Sequence, residues 1–155
     1  MFRVNADSLE AYFNFDPMRK TDLEKMDALI RKSAPGLKRH FHEGTPVGEP
    51  GMRMKMIGYG KFHYPTKSGK SVSWPVIGMA LQKNYISIYL SIAADGMPIT
   101  QKYTGKLGEL RSGNNNFSFV RFDDLNTEVV SMLFAETAKL FKADPDNPVR
   151  YALSS

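Results

Sequence analysis

Residues 85–92 read Tyr-Ile-Ser-Ile-Tyr-Leu-Ser-Ile, and this strict alternation constrains the fold more than any other segment. Successive side chains of a strand point to opposite faces, so Ile86, Ile88, Leu90 and Ile92 share one face while Tyr85, Ser87, Tyr89 and Ser91 share the other. A helix would scatter both sets. The pattern predicts a strand over 85–93 with the isoleucine face as the core side. Residues 72–81 read as its antiparallel neighbour, joined through Gln82-Lys83-Asn84. Pro75 has no N–H to give a ladder, which places it at a sheet edge or a bulge. Met52, Met54 and Met56 alternate with Arg53 and Lys55, the pattern of a strand with one dry and one wet face. Shorter strands are predicted at 37–42, 58–64 and 117–122, with a turn at 65–70 and a loop at 113–116.

Helical periods flank these strands. Thr21-Asp22-Leu23-Glu24 is a capping box, followed by Leu23, Met26, Leu29 and Ile30 at helical spacing and the stop Ala34-Pro35-Gly36, which predicts a helix over 22–33. A shorter amphipathic turn is predicted from Asp7 to Phe13, and a short helix at 99–107. The last helix starts at the cap Asn126, carries Val129, Val130, Leu133, Phe134, Leu140 and Phe141, and ends by Asp144-Pro145. The expected fold is α+β: a curved antiparallel sheet of about five strands, with N-terminal helices and a C-terminal helix packed on one face. At 155 residues the chain is expected to form one domain over 1–155, with a core at about 20–141 and a loosely held tail at 144–155.

Charge is unevenly spread. Residues 1–50 carry eight basic and eight acidic side chains, residues 51–121 ten basic and two acidic, and residues 122–155 three basic and six acidic. The middle segment therefore has a net charge of +8 within a total of +5, a field that attracts anions. Zero cysteines exclude thiol nucleophiles, disulfides and cysteine-held metal centres, and fit a reducing cytoplasm. The opening residues lack the apolar run of a secretion signal, and no stretch is long and apolar enough for a membrane span.

Catalytic motifs are scarce. Gly69-Lys70-Ser71 looks like the end of a phosphate loop, but Tyr64 stands where that loop needs a glycine. There is no Gly-x-Ser-x-Gly elbow, zinc helix or dinucleotide fingerprint. Asn116-Phe117-Ser118 matches a glycosylation sequon, read as silent without a secretion signal. His40 and His42 fall on one side of a strand, with Glu43 adjacent and His63 on a possible neighbour; two imidazoles without a placed third ligand fall short of a metal site. The stronger constellation is Trp74, Tyr85 and Tyr89 with Tyr59, His63, Arg53 and Lys83, which supplies stacking surfaces and cationic donors.

The ordered series Gly58-Tyr59-Gly60, His63-Tyr64, Ser68-Gly69-Lys70, Trp74-Pro75-Val76-Ile77-Gly78, Gln82-Lys83 and Tyr85-Ile86-Ser87-Ile88-Tyr89 resembles the YdhG-like domain family. Leu29 to Pro35 looks like the end of that family's first long helix, and Phe119 to Leu140 like its last strand and helix, so the resemblance covers about residues 20–141. It implies an α+β fold with a curved antiparallel sheet, and no catalytic residues. The connection from Glu43 to Met52, with Pro46 and Pro50, is longer than the resemblance implies. Some relatives are described as frataxin-like iron chaperones. Such a surface needs clustered carboxylates, whereas Asp22, Glu24 and Asp27 here are interleaved with Lys25.

The expected function is a cytoplasmic, non-catalytic binding domain for a small anionic or aromatic ligand, or for an acidic protein partner. Its expected ligand-binding residues are Arg53, Tyr59, His63, Trp74, Lys83, Tyr85 and Tyr89, with no cofactor. Iron binding is the alternative, nucleic acid is disfavoured, and monomer and homodimer are both compatible with the chain.

Overall fold

The computed structural model describes residues 2–45 and 53–154. Its first helix, α1 (Leu9–Asn14), is capped by the Ser8 side chain, which accepts from the Ala11 N–H. The second, α2 (Lys20–Ser33), buries Leu23, Met26 and Ile30 on one stripe, as the i, i+3, i+7 spacing demands. It begins before the expected capping box, so Thr21 lies within the helix rather than capping it. Asp16 is responsible: its carboxylate accepts from the Met18 N–H and from Arg19 Nε, and the Arg19 carbonyl accepts the Leu23 N–H. The short helix expected at 99–107 is α3 (Ile99–Tyr103), and the last long helix, α4 (Thr127–Ala143), starts as expected, with the Asn126 side chain accepting from the Val129 N–H.

Six antiparallel strands form the main sheet, one more than expected. They are β1 (Arg39–His42), β2 (Met56–Pro65), β3 (Ser71–Leu81), β4 (Ile86–Leu90), β7 (Arg111–Ser112) and β8 (Asn116–Phe119), in spatial order β1-β2-β3-β4-β8-β7. The strand expected over 85–93 splits. After Leu90 the Ser91 N–H turns to the Val76 carbonyl, and Ala93–Ala94 (β5) pair instead with Met97–Pro98 (β6) across an Asp95-Gly96 turn in which both residues have positive φ. Pro75 faces Lys61 of β2, beyond the last β3–β4 pair of Ile77 with Leu90, so no ladder bond is lost on the β4 side.

The methionine segment is not a separate strand. Met54 and Met56 are buried and Arg53 exposed, as the alternation requires, but only Met56 joins the ladder; Met52 lies outside the described residues. The N-terminal segment holds residues 53–55 instead: Lys55 Nζ donates to the Ala6 carbonyl (2.6 Å) and the Tyr12 hydroxyl donates to the Lys55 carbonyl (3.3 Å).

One large core joins α2 and α4 to the sheet through Leu23, Met26, Ile30, Leu133 and Phe134 against Ile57, Ile77, Ile88 and Phe117. A second, smaller apolar cluster of Met54, Met56 and Ala80 takes in Trp74 and Tyr89. The face opposite the isoleucines is therefore largely dry as well, with Ser87 only 2% exposed. Residues 144–155, expected as a loose tail, instead contain α5 (Asn147–Ser154). The Asn147 side chain takes the Ala93 N–H and gives its own N–H to the Ala93 carbonyl, both at 2.9 Å, and so anchors the helix to β5. Among the described residues no helix is long and apolar enough to cross a membrane.

Candidate functional site

On β1, alternate residues face opposite ways, and a buried carboxylate fixes which way. Asp27 of α2 accepts from Arg39 Nη1 (2.9 Å) and from the Tyr59 hydroxyl (2.6 Å), while Phe41 packs edge-on to Tyr12. Arg39 and Phe41 thus turn towards the helices. His40 and His42 turn the other way.

Gly58 makes room for the first of them. A Cβ there would run into the His40 ring and come within 3.0 Å of Pro75 Cβ. Lying over this gap, His40 Nε2 donates to the Gly60 carbonyl (3.0 Å), which leaves buried Nδ1 without a partner among the described residues. A carbonyl can only accept, so the geometry assigns the proton to Nε2. His42 meets the Trp74 ring edge-on at 5.1 Å, and its buried Nε2 has no partner among those residues either. Burial first, then the nearby His40 and Lys61, pushes His42 down to about 4; burial likewise lowers His40, against the opposing pull of the Gly60 carbonyl. At neutral pH His42 is an uncharged ring.

These imidazoles line a cleft of about 580 Å³, together with Lys61, Lys70, Ser71 and Ser73 from the β2–β3 hairpin and with Asp7, Glu43 and Thr45. The hairpin turn is closed by Thr66 N–H to the Lys70 carbonyl (2.8 Å), and Gly69 adopts φ +83, which presents Lys70 beside Ser71. Lys61 points outward because the core-facing parity of β2 changes across Gly60 (φ +71), from Ile57 and Tyr59 to Phe62 and Tyr64. Among the described residues neither lysine has an ion pair.

The seven expected ligand residues do not converge. Tyr59 is fully buried in the main core, where burial and Asp27 raise its pKa. Tyr85 lies at the Leu81 end of β3 under the Arg111 guanidinium (4.5 Å), and Lys83 is exposed in the adjoining turn. His63 is exposed opposite Ser73, near the other end of β3. At about 3.3 Å per residue, the eight steps from Ser73 to Leu81 span roughly 26 Å, too far for one small ligand. Arg53 is exposed beside a separate cavity of about 400 Å³ shared with Phe2 and Arg3. Trp74 and Tyr89 do meet the same cluster of Met54, Met56 and Ala80. Of the expected set, only Trp74 touches the cleft, through His42.

What the sequence reading missed was the pairing of His40 and His42 with Lys61 and Lys70. The period-two spacing of the histidines carried half of that signal; the other half depends on the outward turn at Gly60. Among the described residues no three His, Asp or Glu side chains come together as a metal ion would need. Comparison with protein families, curated proteins and solved structures returns no match.

Proposed function

We propose that the chain is a non-catalytic, cytoplasmic binding domain of the YdhG-like kind, taking a small anionic molecule in the cleft between β1 and the β2–β3 hairpin. The observation that carries the reading is the convergence, among the described residues, of two uncharged imidazole rings and two lysines without ion pairs on one cleft of about 580 Å³. The two ammonium groups supply the charge-assisted hydrogen bonds that an anionic group accepts. Asp7 and Glu43 on the same cleft disfavour a polyanion, so a small ligand with one anionic group suits it better than nucleic acid or an acidic protein surface. The iron alternative has two imidazoles to draw on and needs a third ligand.

Trp74 is the sole tryptophan and touches His42, so its fluorescence reports the cleft. Titration with acetate, inorganic phosphate and citrate is expected to give a saturable change with at least one of them. Lys61→Glu and His42→Gln should each abolish that change, while Lys83→Glu, at the far end of β3, keeps it. A flat response to all three anions, or equal loss in Lys83→Glu, overturns the reading.

A further inference from the structure

Trp74 has a second neighbourhood. Phe62, Tyr64 and Tyr151 join it around a cavity of about 220 Å³ between β2, β3 and α5, with Ser91 and Asn115 on the same lining. Four aromatic side chains thus converge on one small open pocket. Phe62 is 5% exposed and Ser91 7%, which makes them the floor, whereas Tyr64, Trp74 and Tyr151 are half-exposed walls.

We propose that this aromatic box binds a planar, uncharged heteroaromatic ring of nucleobase or indole size. The π-faces supply sequence-tolerant stacking, as aromatic platforms do for bases. The Ser91 hydroxyl, which makes no hydrogen bond among the described residues, and the exposed Asn115 amide supply donors and acceptors for the ring's polar edge. An aromatic cage also suits an organic cation, but among the described residues no carboxylate lines the cavity and the chain carries a net charge of +5, so the field works against a cation. The volume is below the usual range of about 300–1,000 Å³ for drug-sized ligands, which fits a single ring system rather than a larger molecule. The site is distinct from the histidine cleft, and its test does not depend on that reading.

Saturation-transfer NMR on the full chain with indole, adenosine and tetramethylammonium decides the matter. Indole and adenosine should receive saturation from the protein, tetramethylammonium little. Tyr151→Leu and Tyr64→Leu, which remove stacking surface from α5 and from β2 independently, should each weaken the planar probes by about tenfold. Melting temperatures identify any variant that has lost its fold, and the two sites of substitution keep one readout if the other fails. Absence of transfer to both planar probes, stronger transfer to tetramethylammonium, or unchanged affinity in both folded variants would overturn the proposal.

Discussion

A single carboxylate organises the residues around the cleft. Asp27 is 7% exposed, and without its partners a buried charge of this kind would be costly. It ties α2 to β1 through Arg39 and to β2 through Tyr59, and that tie decides which side of β1 the histidines take. Replacing Tyr59 by Phe removes a donor from a buried acceptor while keeping the ring that fills the core. The expected loss is about 1–3 kcal/mol in urea denaturation, since a buried acceptor left short of a partner forfeits its desolvation. A change within error would show that Arg39 and Arg31 alone satisfy the carboxylate. Gly58→Ala probes the same neighbourhood from the other side. Its Cβ would meet the His40 ring and Pro75 Cβ, so it should displace His40 from the Gly60 carbonyl and shift the His40 ring resonances in NMR. Unmoved His40 resonances would mean that the ring does not lie over Gly58.

At the scale of elements, the strongly periodic segments were legible and the interrupted ones were not. The buried stripes of α2 and α4 and the pairing of β3 with β4 follow from the spacing of Leu23, Met26, Ile30, Leu133, Ile86 and Ile88, because each position repeats its neighbour's environment. The break after Leu90 was invisible, since Ser91 and Ile92 continue the alternation while the Ser91 N–H changes partner to Val76. α5 was missed for another reason. Asp146-Asn147-Pro148 reads as a polar breaker, yet Asn147 uses both ends of its amide on the Ala93 backbone, a long-range bond that no local pattern announces. Asn147→Ala removes both bonds at once. The expected result is faster amide exchange throughout residues 147–154 and a loss of about 1–2 kcal/mol. Protection equal to the wild type would assign the docking of α5 to Val149 and Ala152 packing alone.

For the molecule as a whole, the excess of basic residues in the middle of the sequence does not become one surface. Lys70 and Lys83 flank opposite ends of an 11-residue strand, and Lys102 is committed to Glu136 at 2.7 Å. Composition could show that the charge was there; only the hairpin topology could show that Lys61 and Lys70 are the members that reach a cleft with unpaired imidazoles. That cleft makes the stability of the whole fold depend on pH. His42 is faced by His40 on β1, by Lys61 on β2 and by the uncharged Trp74 ring on β3, and its folded value of about 4 lies below the ordinary 6.5. The unfolded chain therefore takes up a proton on His42 as pH falls through 6.5, while the folded chain does so only near 4. Stability is full above 6.5 and is lost on acidification until about 4, below which both states hold the proton. Between about pH 7 and about pH 5 the contribution of His42 to this loss is about 2 kcal/mol. The lowered carboxylates, Asp16, Glu109 and Glu136, release their share further down, below their ordinary values of 3.8 to 4.5. Urea midpoints at the two pH values should therefore separate strongly in the wild type and by about 2 kcal/mol less in His42→Gln. An equal separation in both proteins would place the titrating group elsewhere and leave His42 in contact with solvent.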